Sequence, residues 1–133
     1  PGRVGMTSRP PNTPLRWRRR FGDAFDGVRL GIRTQESNHV HLAVAVVVII
    51  LASVLRLEPW RWCMLLVCIA LVISLELMNS AIERLVKTLH PEHDQGLAET
   101  LHMAAGAVLV AAIGSIVIGL IVLLPPLWTW IFS

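Results

Sequence analysis

The sequence contains no tyrosine, only two cysteines and few charged residues. Charged side chains make up 16% of the 133 residues, whereas 54% are hydrophobic, and the mean hydropathy is +0.62. An ordinary soluble domain is about 25% charged and about 45–50% apolar, so this composition indicates a membrane protein. Because the apolar runs are long and lack alternating polar residues, they argue against a membrane β-barrel.

Several familiar motifs are also missing. Cys63 and Cys68 stand five residues apart in one apolar run, without the spacing of a metal or redox site, so we interpret them as small buried hydrophobic residues. There is no G-x-x-x-x-G-K-[ST] loop, which excludes an enzyme of the P-loop class. No secretory signal is expected, because the first apolar run begins only near residue 42.

Three apolar segments divide the chain, at about 41–57, 60–85 and 103–132. No open sheet is tolerated in lipid, so all three are predicted to be helices. A span needs about 20 apolar residues, which the second and third segments provide and the first barely reaches. The sequence therefore predicts an all-α integral membrane protein: a disordered tail, 1–14, followed by one membrane domain, 15–133.

The segment 15–38 has the pattern of an amphipathic helix lying in the membrane interface, in which apolar residues recur every three to four positions among arginines. The apolar residues are Leu15, Trp17, Phe21, Phe25, Val28 and Ile32. The alternative is a charged flank that only sets the topology. Eight of the twelve Lys and Arg residues precede the first span, so the positive-inside rule predicts a cytoplasmic N-terminus in the inner (plasma) membrane. Nucleic-acid binding is not expected, since no reading motif accompanies these arginines.

Polar residues close the second apolar segment. Glu76, Asn79 and Glu83 are spaced i, i+3 and i+7, which places them on one face of a helix. Glu76 lies about 24 Å along that helix from Trp60, near the cytoplasmic edge of the hydrocarbon, where an unpaired carboxylate is costly. For Glu83 alone, a structural carboxylate at a helix end is the simpler interpretation. Together, two carboxylates can bind Mg²⁺ and one can take a proton from a lipid hydroxyl, which would suit phosphoryl transfer to a lipid alcohol.

Three motifs resemble one family. ELMNSAIE (76–83) closely resembles the Glu-x-x-Asn-(Thr/Ser)-Ala-(Ile/Leu)-Glu signature of the prokaryotic diacylglycerol kinase/undecaprenol kinase family. FGDAFDGVRLGIRTQ (21–35) resembles its surface helix, and AAGAVLVAAIGSIVIG (104–119) its third-helix motif. The resemblance covers roughly residues 16–124. It implies a homotrimeric membrane kinase that uses Mg²⁺ and ATP to phosphorylate diacylglycerol or undecaprenol.

The resemblance also implies roles for Glu76, Asn79 and Glu83, which together are called the polar stripe. Glu76 matches the general base of the family and Asn79 its neighbour in the site, while Glu83 matches one metal ligand. The second metal-binding Glu of the family falls on Gln35, with Glu36 next to it. One residue on a helix turns a side chain by about 100°, so Glu36 serves as the ligand only if the chain shifts locally.

Nucleotide contacts are expected, by the same resemblance, from Arg16, Glu92, His93, Asp94 and His102. The stretch HPEHD (90–94) could equally be a solvated turn. Three further positions depart from the family: its Lys-Asp pair before the third helix is Leu101-His102, and its Asp after the metal-binding Glu is Lys87. Lys87 or His102 would then have to supply the missing positive charge.

Two other functions compete with a lipid kinase. The departures would also suit a catalytically impaired relative that acts as a structural or lipid-binding membrane protein. A proton-coupled transporter using Glu76 is less favoured, because this carboxylate lies near an interface rather than at mid-membrane.

Overall fold

The computed structural model describes residues 14–34 and 36–133, and these residues form four helices and no strand. The helices are α1 (Pro14–Thr34), α2 (Glu36–Val54), α3 (Pro59–Leu89) and α4 (Gln95–Phe132). The all-helical prediction is therefore confirmed. The predicted disordered tail lies outside the described residues, apart from Pro14, and so does Gln35.

α1 and α2 meet at a sharp bend, with an angle of 100° between residues 16–34 and 38–54. The predicted surface helix is therefore shorter than 15–38, because residues 36–38 already belong to α2. Asn38 is buried, and its Nδ2 donates to the carbonyl oxygen of Gly31 at 2.9 Å. This hydrogen bond joins the first turn of α2 to the last turn of α1 across the bend.

Most of the apolar residues predicted for the surface helix are exposed, whereas Ile32 is partly buried. Trp17, Phe21 and Phe25 all face outward, and the rings of Trp17 and Phe21 lie 6.3 Å apart. The guanidinium of Arg20 lies over the Trp17 ring, 5.8 Å from its centre. An exposed apolar stripe beside arginines suits the headgroup region of a membrane, although this location remains a prediction.

Among the described residues, two helices, α3 and α4, are long and apolar enough to cross a membrane, and an 18-residue stretch of each has a mean hydropathy of 2.2 and 3.0, respectively. α3 has 31 residues, which correspond to about 46 Å and exceed the hydrocarbon thickness of about 30 Å. One end of α3 therefore projects beyond the lipid. α2 meets the same test only in combination with α1, as a bent pair. This result agrees with the borderline length of the first apolar segment.

α2 ends at Val54 rather than at the predicted residue 57, because the next residues form a Schellman motif. The N–H of Leu57 donates to the carbonyl of Ala52 at 3.3 Å, and the N–H of Arg56 to that of Ser53 at 3.2 Å. Arg56 has a φ of 51°, a left-handed conformation that usually selects glycine. The reversal brings α3 back against α2, and Pro59 begins α3 at a position where its missing N–H is not needed.

The core lies at this end of the bundle, where α2, α3 and α4 meet. Its buried residues are Ala52, Leu57, Leu65 and Val122. The guanidinium of Arg61 donates to the carbonyl oxygen of Val122. Pro126, four residues further along α4, has no N–H to occupy that oxygen, so Arg61 takes the place of the missing intrahelical donor.

The Arg61 contact also fixes the direction of the helices. It joins the first turn of α3 to the C-terminal part of α4, so the two helices run antiparallel. Trp60 and Trp62 therefore lie at the same end of the bundle as Trp128 and Trp130, the arrangement that the sequence predicted for an aromatic belt.

Candidate functional site

The polar stripe lies on α3, and its residues become more exposed toward the C-terminal end of the helix. Glu76 is 4% exposed, Asn79 is partly buried, and the side chain of Glu83 is 33% exposed. Ser80, one turn from Glu76, is also buried, and its hydroxyl donates to the Glu76 carbonyl oxygen at 2.8 Å. The stripe thus runs from a buried carboxylate to an accessible one, about 10 Å further along the axis.

α1 packs closely against α3 beside Glu76. Gly31 of α1 faces Leu77, the next residue of α3, and a Cβ added at Gly31 would overlap with the Cδ2 methyl of Leu77. The absence of a side chain at Gly31 therefore lets the two helices approach. Asn38 holds this same turn of α1 through the Gly31 carbonyl. The last turn of α1 and the start of α2 are thus fixed next to the buried part of the stripe.

The accessible end of the stripe carries an ion pair. Lys87 Nζ lies 2.6 Å from Glu83 Oε1, one turn further along α3, and the Lys87 side chain is 70% exposed. An exposed i,i+4 pair of this kind contributes about 0.3–0.5 kcal/mol, so it is easily broken by a competing ion. Glu83 is therefore paired with a replaceable cation.

A cleft of about 450 Å³ opens between the end of α3 and the start of α4. Its polar lining residues are Lys87, His90, Glu92, His93 and Asp94. Asp94 caps α4, since its Oδ1 accepts a hydrogen bond from the Leu97 N–H at 3.0 Å. Ligand sites in proteins typically measure about 300–1,000 Å³, so this cleft is large enough to hold a small molecule.

The cleft brings together only part of the predicted nucleotide site. Glu92, His93 and Asp94 line it, whereas Arg16 and His102 are exposed on α1 and α4 and are not among its lining residues. Leu101, which replaces the Lys of the family pair, closes its apolar side.

The predicted metal ligands lie on two different helices, Glu83 on α3 and Glu36 on α2. Glu36 is exposed on the first turn of α2, and Gln35 lies outside the described residues, so the choice between them remains a prediction. Within residues 14–34 and 36–133, no three His, Cys, Asp or Glu side chains are placed to hold a metal ion. Mg²⁺ usually takes only one or two carboxylates, with waters and phosphates as the other ligands. The accessible oxygens of Glu83 fit that requirement.

Three residues near the site were not predicted to belong to it. Ser80 and His90 had a signal in the sequence: Ser80 stands four residues after Glu76, and His90 opens the HPEHD stretch. Asn38 had no such signal, because its partner Gly31 is seven residues away across a bend. Helical spacing predicts contacts between residues three or four positions apart, so it does not predict a contact between two helices across a bend.

Comparison with known proteins finds relatives over most of the chain. A model of the family described as prokaryotic diacylglycerol kinase matches residues 22–123. A diacylglycerol kinase of a Synechocystis species is 39% identical over 108 residues, which cover 80% of this chain and 62% of that protein. An undecaprenol kinase of Bacillus subtilis is 35% identical over 107 residues, which cover 80% of this chain and 87% of that protein. The chain thus spans less than two thirds of the Synechocystis relative. No solved structure matches the chain.

Proposed function

Because this chain belongs to the prokaryotic diacylglycerol kinase family, we propose that it is an integral-membrane kinase that transfers the γ-phosphate of ATP to a lipid hydroxyl. The names of the relatives give two classes of acceptor, a diacylglycerol and the prenol undecaprenol. The observation that carries the proposal is the polar stripe, in which a buried Glu76 shares one helix face with Asn79 and the accessible Glu83.

Glu76 is the proposed general base. Its carboxylate lies near the depth at which the hydroxyl of a membrane lipid meets water, and it can accept the proton of that hydroxyl as the oxygen attacks the phosphate. The amide of Asn79, one turn further along α3, can orient this carboxylate by donating a hydrogen bond. The burial of Glu76 keeps bulk water away from the base, which favours the lipid alcohol over water as the acceptor.

Glu83, with Glu36 as a second carboxylate, is proposed to hold Mg²⁺ together with the phosphates of ATP. Bound there, the ion would neutralise phosphate charge and polarise the oxygens of the transferred group. The nucleotide is proposed to occupy the cleft lined by Glu92, His93 and Asp94. Arg16 and His102 are proposed as additional nucleotide contacts.

A homotrimer is proposed as the working assembly. In the most apolar part of α4 only 11% of the residues are buried, so this helix has a large surface free to contact lipid or other subunits. Arg16, Glu36 and His102 do not line the cleft of their own chain, and neighbouring subunits would allow them to complete it. Cross-linking of single-cysteine variants in native membranes measures the subunit number, and a monomer there would contradict this assembly.

The proposed orientation places the N-terminus in the cytoplasm, with ATP, and the tryptophan end of the bundle on the far side of the inner membrane. The arginine-rich N-terminal segment supports it. Reporter fusions at each terminus test it, and two cytoplasmic termini would contradict it.

The decisive experiment is a phosphorylation assay. Purified protein in mixed micelles is given ATP, Mg²⁺ and either a diacylglycerol or undecaprenol, and phosphate transfer to the lipid is measured. We expect transfer to at least one lipid, and no transfer when Mg²⁺ is chelated. An inactive wild type that becomes active as the Leu101→Lys, His102→Asp double variant would instead identify a relative that has lost its chemistry and retains a structural or lipid-binding role.

A further inference from the structure

Lys87 contacts two parts of the molecule, the polar stripe of α3 and the cleft at the end of that helix. Its ammonium pairs with Glu83 on the polar stripe, and its side chain also lines the cleft between α3 and α4. Of the two residues expected to replace the missing positive charge of the family pair, Lys87 lines the cleft of its own chain, whereas His102 is exposed and does not. Within one chain, Lys87 is therefore the residue placed to supply this charge.

We propose that Lys87 has two successive partners: it neutralises Glu83 when nucleotide is absent, and it binds the nucleotide phosphates when Mg²⁺ takes its place at Glu83. This inference rests on the proposed function, since it assumes that the cleft receives ATP. Lys87 thereby becomes a phosphate-binding residue that also lowers the affinity of Glu83 for the metal ion.

The geometry allows this exchange of partners. The Lys87 side chain is 70% exposed and lies in the last turn of α3, so no packing holds its ammonium on Glu83. A divalent ion competes strongly for a carboxylate that is paired only with an exposed monovalent ion. Once displaced, the ammonium has three N–H donors, all of which can turn toward phosphate oxygens.

The charge of the cleft indicates why such a residue is needed. Glu92 and Asp94 contribute two carboxylates to the lining, and phosphates approaching them are repelled. Among the described lining residues, Lys87 is the only lysine or arginine. Within one chain, a phosphate group in this cleft therefore has one lysine side chain to bind.

The first test measures nucleotide binding without catalysis. Wild type, Lys87→Ala, Lys87→Arg and Arg84→Ala are titrated in detergent with Mg²⁺ and a non-hydrolysable ATP analogue, and heat release is recorded. Lys87→Ala should weaken binding about tenfold, the loss expected for one charge-assisted hydrogen bond. Lys87→Arg should retain most of the affinity. Arg84→Ala is the matched control, because it removes a positive charge from the same end of α3 and because Arg84 does not line the cleft. Arg84→Ala should change the affinity less than twofold.

The second test measures metal binding with no nucleotide present. Mn²⁺, which has a paramagnetic signal, replaces Mg²⁺, and the free ion is quantified by electron paramagnetic resonance. Lys87→Ala should bind Mn²⁺ about twofold more tightly than wild type, because the competing ammonium is gone. Glu83→Gln should abolish this gain. A merely structural ion pair would not produce opposite changes in metal and nucleotide affinity.

The outcomes separate this inference from the proposed function. If wild type phosphorylates a lipid but Lys87→Ala binds nucleotide normally, the role of Lys87 is wrong and the kinase stands. If no lipid is phosphorylated but nucleotide binding depends on Lys87, the acceptor chemistry is wrong and the role of Lys87 stands. A wild type that binds no nucleotide would overturn both.

Discussion

The two ends of α3 both carry charged residues, but they use them differently. At the N-terminal end, Arg61 is largely buried and donates to a main-chain carbonyl of α4, and its guanidinium also lies 4.6 Å from the centre of the Trp60 ring. At the C-terminal end, Glu83 and Lys87 form an exposed pair, Lys87 also lines a cleft, and Glu76 lies buried two turns before the pair.

The N-terminal end of α3 therefore stabilises the fold, whereas its C-terminal end carries the candidate site. Charges that contact the main chain and an aromatic ring hold two helices together. Charges that contact only each other at the surface contribute little to stability and remain available to a substrate or an ion. Stability should therefore depend on the N-terminal end and turnover on the C-terminal end.

The largest expected effect is the loss of turnover in Glu76→Gln. The amide keeps the shape of the carboxylate but cannot accept the proton of the lipid hydroxyl, so the rate of lipid phosphorylation should fall by about 10²–10⁴-fold. Glu58→Gln is the matched control, because it makes the same chemical change at the opposite end of α3. Its rate should stay within about twofold of wild type, and near-normal turnover of Glu76→Gln would refute the assigned base.

The second prediction is that Arg61→Ala destabilises the fold without changing turnover per folded molecule. The change leaves the Val122 carbonyl without its donor, which should lower the free energy of unfolding by about 1–3 kcal/mol, measured by titration with sodium dodecyl sulfate. Adding Pro126→Ala restores an intrahelical N–H for this oxygen and should recover part of the loss. A double variant no more stable than Arg61→Ala would contradict this explanation.

A smaller effect is expected at the bend between α1 and α2. Asn38→Ala removes the buried donor to the Gly31 carbonyl, and the free energy of unfolding should fall by about 0.5–1.5 kcal/mol in the same titration. His39 is exposed and adjacent, so His39→Ala provides the control, with a change below about 0.5 kcal/mol. Equal losses in the two variants would mean that the hydrogen bond of Asn38 is not what holds the bend.

The smallest effect on stability should come from the exposed ion pair. Glu83→Gln is expected to change the free energy of unfolding by less than about 0.5 kcal/mol, because the pair is screened by water. The Mg²⁺ concentration needed for half-maximal turnover should nevertheless rise. A large loss of stability with an unchanged Mg²⁺ requirement would make Glu83 a structural carboxylate, the simpler interpretation that its sequence position allowed.

Local sequence patterns predicted the features that depend on the periodic spacing of residues along a helix. The apolar runs indicated α3 and α4, and the spacing of Glu76, Asn79 and Glu83 placed them on one face, because helical periodicity relates residues within two turns. The contact of Arg61 with Val122 could not be predicted in this way, since the residues are 61 positions apart and the acceptor is a main-chain atom common to every residue. The same limit applies to the cleft, whose volume depends on how α3 and α4 separate at the connection.

The hydrogen bond between Arg61 and Val122 has a consequence for the evolution of this end of the protein. Its acceptor is a main-chain oxygen, so a substitution at position 122 changes the packing but leaves the acceptor in place. The position of that free oxygen is set by Pro126, four residues later. Deleting one residue between position 122 and Pro125 would bring the N–H of Leu127 to the Val122 carbonyl, and the prolines would free carbonyls rotated by at least about 100° around α4 from that position. Lineages of this protein should therefore vary in the side chain at position 122 but should not shorten the spacing from that position to the two prolines.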